Sequence, residues 1–352
     1  MGHWSASQSL RQQLLHSFPG ASAEVLDLPA YAMPNLSEAM YKCFNLVVTH
    51  GTHLFNTYYK LTALGHPDAR PPMEDLFLDK LTQLLQARQP DAVIATHPLC
   101  AQLMSRLKGE SGLDLPLITC VTDVTSHPEW INQNTDCYLV PSHEVRRALA
   151  EKGVDPALVC VTGIPVREEF RTLPRRPAGR GKKRELLIMG GGLGLLPRDL
   201  SFYQALDSIP NTHVTIITGR NQKLFRRLQG RWPSIQVVGY TDRVWDYMAR
   251  ADLIVTKPGG ITLFETIFAQ VPILTWPPAL QQERSNARWL ARAGIGWVAS
   301  QENCAQEIRE ILLDSQRLSG AAAQMGRLRE QLEVESLNAL MAVIAQNKEA
   351  AV

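Results

Sequence analysis

Residues 253–277 read LIVTKPGGITLFETIFAQVPILTWP and hold the densest chemistry of the chain. A β-branched run leads into Lys257-Pro258-Gly259-Gly260 and then into a helical pattern. Glycines at such a turn let backbone N–H groups approach a ligand, and the opening turn of a helix carries the positive end of its dipole, so the segment suits an anion. A pyrophosphate would sit against Gly259 and Gly260 without a metal, beside Lys257. Thr262 adds a hydroxyl donor in the first helical turn, and Glu265, one turn on, can accept from both hydroxyls of a ribose. Alone, a Gly-Gly pair before a helix equally serves a plain strand-to-helix connection, and Lys257 equally serves as a solvated turn residue.

Other clusters accompany this one. Gly190-Gly191-Gly192-Leu193-Gly194 follows an apolar run and opens another helical stretch. It is not G-x-G-x-x-G and lacks an acidic residue at the ribose position, which argues against a dinucleotide but leaves close approach to a phosphate or sugar. Gln281, Gln282, Glu283 and Asn286 supply groups suited to sugar hydroxyls, although each one singly reads as a solvated helix start. In the first half, Thr96-His97-Pro98 and VTDVTSHPEW at 121–130 both follow apolar runs, which places His97, Asp123, His127 and Trp130 near strand ends. His97, Asp123 and His127 are also of metal-ligating types, but their spacing is loose and no His-x-x-x-His helix accompanies them. Trp130 suits a core or the mouth of a cleft.

Lys-Pro-Gly-Gly-x-Thr-x-x-Glu at 257–265, Gln-Glu-x-x-Asn at 282–286 and the Gly-rich loop resemble the nucleotide-sugar half of two-domain glycosyltransferases. Thr-Asp and His-Pro-x-Trp at 122–130, Pro141-Ser142, Gly163-x-Pro165-Val166-Arg167 and Phe170 resemble the monogalactosyldiacylglycerol synthase and processive diacylglycerol glucosyltransferase family, relatives of the peptidoglycan lipid-intermediate N-acetylglucosaminyltransferase. The resemblance runs from His3 to about Asn286. It implies an α/β fold of two Rossmann-like domains facing across a cleft, of the GT-B type. It also implies inverting transfer of a hexose from UDP-glucose or UDP-galactose to diacylglycerol, with further sugars added in turn and neither cofactor nor metal required. The family's Gly-His-x-x-Ala/Ser segment, here Gly2-His3-Trp4-Ser5-Ala6, follows the first strand of its sheet, and its histidine takes the acceptor proton. That assigns His3 as general base, a task suited to neutral imidazole. Gly190, Gly191, Gly192, Lys257, Gly259, Gly260, Thr262, Glu265, Gln282, Glu283 and Asn286 would then hold the donor, and His97, Asp123, His127 and Trp130 would face the acceptor. The motif begins at residue 2, so the strand preceding it in the family is expected to be missing. Two other readings stay open: transfer to a polyprenyl-linked acceptor, and non-catalytic binding of a nucleotide-sugar or lipid.

These residues need a scaffold that brings many loops to one edge. From residue 91 onward, short apolar runs alternate with amphipathic stretches, the pattern of a parallel sheet covered by helices. Strands are predicted at 23–28, 92–96, 116–121, 137–140 and 158–162, and again at 185–189, 213–218, 235–238, 253–256 and 272–275. Helices are predicted at 5–17, 36–64, 72–87, 98–108 and 142–152. Residues 170–184, FRTLPRRPAGRGKKR, lack periodicity and read as a linker. The expected division is an acceptor-side domain at 1–166, a linker at 167–184, a nucleotide-sugar domain at 185–319 and a helix at 320–352 packing back across the hinge.

The 352 residues, 45% hydrophobic and 20% charged, give a globular chain with room for two domains, and a net charge of +2 gives no reason to expect nucleic acid. No apolar run reaches the roughly 18 residues of a membrane span. Contact with an anionic membrane is expected from its cytoplasmic side. It would involve Tyr41, Phe44, Val47, Val48, Leu54, Phe55, Tyr58 and Tyr59, together with the basic linker residues Arg171, Arg175, Arg176, Arg180, Lys182, Lys183 and Arg184. A buried helix and a solvated linker are the plain alternatives. Six scattered cysteines without Cys-x-x-Cys spacing read as reduced thiols.

Overall fold

A computed structural model describes residues 2–63, 74–174, 183–300 and 302–333. The chain forms two compact units, one built on Gly2–Arg167 and the other on Glu168–Ala279 and Glu283–Gln331.

The first unit opens with five helices: α1 (Gly2–Ser17), α2 (Leu28–Ala32), α3 (Ser37–His50), α4 (Thr52–Ala63) and α5 (Glu74–Arg88). Then β1 (Val93–Ala95), α6 (Pro98–Ser111), β2 (Leu117–Cys120), β3 (Cys137–Val140), α7 (His143–Ala150) and β4 (Val159–Val161) follow. The four strands pair in parallel in the order β1-β2-β3-β4. Every residue of β2 and β3 is buried, which explains why these strands read as continuous apolar runs. Helix α1 lays Leu10 on one sheet face against Ile118, Cys120, Cys137 and Leu139. Burial pushes the Cys120 thiol up to about 12, so it packs there as a small hydrophobe.

Two expectations change here. Residues 23–28 form no strand: the segment runs irregularly to Asp27, whose carboxylate accepts from Ala30 N–H at 3.1 Å and caps α2, with Pro29 in the first turn. The single helix expected at 36–64 is two, parted at Gly51.

In the second unit, a short helical turn α8 (Glu168–Arg171) precedes β5 (Arg184–Met189), α9 (Leu200–Asp207), β6 (Thr212–Ile217), α10 (Gln222–Leu228) and β7 (Ile235–Val238). The chain continues through α11 (Val244–Arg250), β8 (Leu253–Thr256), α12 (Gly260–Ala269), β9 (Ile273–Thr275), α13 (Gln281–Arg292), β10 (Gly296–Val298), α14 (Cys304–Leu313) and α15 (Ser315–Glu333). The sheet order is β10-β9-β8-β5-β6-β7, all parallel. The chain therefore starts mid-sheet, builds outward through β7, then returns to β8 on the other side of β5. Ligands of such sheets bind beyond the carboxyl ends of the strands at this reversal, which here lies between the loops after β5 and β8.

Helix α15 is fastened to this unit by Arg329, which is 5% exposed. Its guanidinium donates to the carbonyls of Arg171 at 2.6 Å, Phe268 at 2.8 Å and Leu173 at 3.2 Å, and lies 5.5 Å from the centre of the Phe268 ring. One side chain thus secures the end of α8, the last turn of α12 and α15 together. Arg329→Met leaves these buried acceptors unanswered and is expected to cost about 3 kcal/mol. A urea titration should show a lower midpoint, with Arg329→Lys recovering part of the loss.

Candidate active site

His3 occupies the first turn of α1, at the carboxyl ends of β1 and β2. Its Nδ1 lies 2.7 Å from the Thr96 carbonyl and 2.9 Å from the Thr122 hydroxyl. A carbonyl only accepts, so Nδ1 carries the proton and the lone pair belongs to Nε2. The contact is braced from both sides. The Ser7 hydroxyl meets Thr96 Oγ1 at 2.7 Å, and Thr96 Oγ1 donates to the His3 carbonyl at 3.2 Å. The His97 and Trp130 rings stand 4.5 and 6.2 Å from the His3 ring. Burial of the ring, reinforced by neighbouring His97, pushes the His3 pKa down to about 3, so the imidazole is neutral near pH 7.

The other acceptor-side residues divide by role. His97 is the N-cap of α6, its Nδ1 accepting from Leu99 N–H at 3.2 Å. Trp130, 3% exposed, closes a 3-10 turn at Pro128–Trp130 and is a buried neighbour of the His3 ring. His127 is buried with both ring nitrogens engaged: Nε2 meets the Tyr59 carbonyl at 3.0 Å, and Nδ1 accepts from Glu129 N–H at 3.4 Å. It joins α4 to the Pro128–Trp130 turn. Asp123 is half-buried just after β2. Among the described residues, no three histidines, cysteines or carboxylates are grouped to hold a metal ion. Thr122 and Tyr59 complete this arrangement. Thr122 lies within the VTDVTSHPEW motif, and Tyr59 belongs to the aromatic segment whose sequence fits either membrane contact or a buried helix.

In the second unit, the predicted donor residues gather at the sheet's reversal. Gly259 is the N-cap of α12 and supplies no side-chain acceptor, so the first-turn N–H groups remain for a ligand. A Cβ added at Gly259 would meet nothing within 4 Å, which leaves open space beside that turn. Thr262 and Glu265 are half-buried on α12. Lys257 Nζ meets Glu283 Oε1 at 3.0 Å, which supplies a countercharge to a carboxylate that is only 9% exposed. Asn286 is fully buried and donates to the Pro258 carbonyl at 2.9 Å, so it holds the turn from behind. Gln282 Oε1 and Trp276 Nε1 are buried and have no hydrogen-bond partner among the described residues.

The Gly-rich loop has a structural reason for some of its glycines. Gly194 has φ +62, and a Cβ there would lie 1.9 Å from the Thr218 carbonyl. At Gly190, an added Cβ would meet Leu195 N at 2.5 Å. The loop is folded onto the turn after β6, where Arg220 N–H donates to Gly192 O at 3.1 Å. Gly191, Gly192 and Leu193 are its exposed part.

The depressed histidines make stability depend on pH. His3 near 3 and His97 near 4 resist protonation in the fold, whereas in the unfolded chain they take a proton near 6.5. Stability is therefore complete above about pH 6.5 and declines as the pH falls toward 4 and 3. The urea midpoint should drop between pH 7.5 and pH 5. The double variant His3→Gln/His97→Asn should show a smaller drop, and an equal drop would refute the assignment.

Comparison with known proteins follows this division of the chain. The family model for monogalactosyldiacylglycerol (MGDG) synthase matches residues 3–166, and the model for the glycosyltransferase family 28 C-terminal domain matches residues 188–339. A processive diacylglycerol beta-glucosyltransferase of Staphylococcus carnosus (strain TM300) is 30% identical over 270 residues, 72% of this chain and 67% of the relative. One of Bacillus cereus (strain AH187) is 32% identical over 250 residues, 68% of this chain and 64% of the relative. The chain thus spans about two thirds of these relatives' own lengths. Among solved structures, the glycotransferase of kitacinnamycin has a TM-score of 0.63 at 17% identity, covering 99% of this chain and 95% of that one. Acinetobacter baumannii MurG has a TM-score of 0.56 at 17% identity, covering 80% and 81%. Those two show the fold alone. With a histidine oriented at the strand ends of one Rossmann-like unit and a glycine-capped helix N-terminus at the sheet reversal of the other, the chain belongs to the monogalactosyldiacylglycerol synthase and processive diacylglycerol glucosyltransferase family of GT-B glycosyltransferases.

Proposed function

We propose that this protein transfers a hexose from a UDP-sugar to the free hydroxyl of diacylglycerol, with inversion and without a metal, and then extends the product with further sugars. The relatives' names favour glucose over galactose as that hexose. The observation that carries the reading is the orientation of His3: with Nδ1 donating to Thr96, Nε2 is left to receive a proton. In the reaction, the acceptor oxygen forms a bond to the anomeric carbon as the bond from that carbon to the UDP oxygen breaks. The hydroxyl proton passes to His3 Nε2, and one displacement inverts the centre. The charge on departing UDP is met by the first-turn N–H groups of α12, with Thr262 and Glu265 placed for the phosphate and ribose. Gln282 and Glu283 face the sugar.

The acceptor is a membrane lipid, and the first unit offers a surface for it. On α4, Leu54, Tyr58 and Leu61 recur at one helical face and are 66%, 53% and 64% exposed, while Leu46 on α3 is 61% exposed. Exposed apolar residues grouped on one helix face fit the interfacial region of a bilayer. Phe44 and Val48, expected to share this surface, have side chains outside the described residues, as do Arg175, Arg176, Arg180 and Lys182 of the basic linker. Among the described residues, no helix is long and apolar enough to cross a membrane. In this reading the protein sits peripherally on the inner face of the cell membrane, through the exposed apolar face of α4.

Incubation with radiolabelled UDP-glucose and diacylglycerol in mixed micelles tests this reading. Labelled glycolipid should form and should persist in EDTA. His3→Ala should lower the rate by roughly 10²–10⁴-fold with UDP binding retained. Undiminished transfer by His3→Ala would remove the base assignment, and loss in EDTA would remove metal independence. Separately, Leu54→Ser/Leu61→Ser should weaken flotation with phospholipid vesicles, each buried leucine being worth about 1.5–3 kcal/mol. Unchanged flotation would place the lipid contact elsewhere.

A further inference from the structure

His3 and His97 stand edge to face, ring centres 4.5 Å apart, and their hydrogen bonds give them opposite tautomers. The His3 proton is on Nδ1, held by the Thr96 carbonyl. The His97 proton is on Nε2, because Nδ1 accepts from Leu99 N–H in capping α6. Neither Nε2 has a hydrogen-bond partner among the described residues. His97 is exposed and His3 is half-buried. Two adjacent rings thus carry a lone pair on one Nε2 and an N–H donor on the other.

That pairing selects among acceptors. A hydroxyl brought to His3 Nε2 arrives next to an N–H group, and an unanswered donor beside a bound substrate costs affinity. An acceptor is favoured if it carries a second oxygen with a good lone pair close to its nucleophilic hydroxyl. In diacylglycerol, the carbonyl of the ester on the adjacent carbon is such an oxygen. Resting on the function proposed above, we infer that His97 is a specificity-determining residue whose Nε2–H donates to the ester carbonyl neighbouring the free hydroxyl of the acceptor. A dialkylglycerol keeps the hydroxyl and both chains but has only weakly accepting ether oxygens at that place.

The competing role for His97 is capping alone, and the variants separate the two. His97→Asn keeps a side-chain oxygen for Leu99 N–H, since asparagine is a favoured N-cap, but is too short to carry a donor to the position of Nε2. His97→Ala loses both. The experiment measures kcat/KM on diacylglycerol and on the dialkylglycerol of equal chain length, in mixed micelles with UDP-glucose. The native protein should favour the diester by about fivefold, the worth of one neutral hydrogen bond. His97→Asn and His97→Ala should both bring the ratio close to one. A native ratio of one overturns the inference. So does a ratio unchanged in His97→Asn, or one lost in His97→Ala but kept in His97→Asn, which would assign the effect to the cap. No transfer to either lipid by the native protein removes the proposed function and this inference together, whereas equal transfer to both removes only the inference.

Discussion

The hydrogen bond from His3 Nδ1 to the Thr96 carbonyl sets most of what the first unit can do. A histidine in the opening turn of a helix would otherwise rotate freely and share its proton between two nitrogens. Thr96 removes both freedoms with its backbone, and its hydroxyl engages Ser7 and the His3 carbonyl, so the same residue also fixes the helix that carries the ring. The rest of α1 serves that junction. Leu10 anchors the helix on the sheet, and Gln13 donates to the Val166 carbonyl at 2.6 Å. Each bond is worth only about 1 kcal/mol net, but bonds that share residues restrict one another, and a base must be held more closely than any one of them would ensure.

The second unit uses charge and backbone in the same way. The turn Lys257-Pro258-Gly259-Gly260 buries its proline ring but has no side chain at Gly259 or Gly260 to hold it, and the space beside Gly259 is open. It is fixed from α13 instead, by Asn286 on the Pro258 carbonyl and Glu283 on the Lys257 ammonium. At the far end of α12, Arg329 occupies the Phe268 carbonyl, where a cation complements the helix dipole. In the proposed function, the helix that offers its N-terminus to the departing UDP is therefore secured at both ends, which preorganises its donors without filling the ligand's place.

The second sheet was legible because fully buried parallel strands give uninterrupted apolar runs; the predicted and observed bounds of β6, β7, β8 and β9 differ by no more than one residue. Strand β10 passed unnoticed, since Gly296-Trp297-Val298 is too short to display a period. Residues 23–28 alternated like a strand, but Asp27 and Pro29 carry the stronger instruction, a cap and a helix start. Site residues were legible where spacing along the chain carries the chemistry, as in Lys257 to Glu265. They were hidden where the partner is tertiary. Nothing near Thr122 in sequence points to a ring 119 residues away, and nothing near Tyr59 shows that its carbonyl will hold His127. The proposed base role of His3 rests on family resemblance, and the structure shows which ring nitrogen carries the proton.

Helix α4 joins these themes, because its two faces have different work. Tyr59 and Thr62 turn toward His127, whose ring lies 4.1 Å from that of Tyr59. Leu54, Tyr58 and Leu61 turn outward, and the helix has no buried residue at all. A helix with so little burial contributes little to stability by itself, since tertiary packing supplies most of what holds a helix in a fold. Among its polar contacts are His127 to the Tyr59 carbonyl, Thr125 to the Tyr59 hydroxyl, and Glu129 to the Tyr58 hydroxyl. Those contacts all reach the 121–130 segment, which also carries Thr122 and Trp130 beside His3. In the proposed function, the surface that meets lipid and the wall that lines the acceptor site are thus adjoining faces of one weakly held helix. Apolar contact on its outer face would then supply the burial that the free protein does not give it.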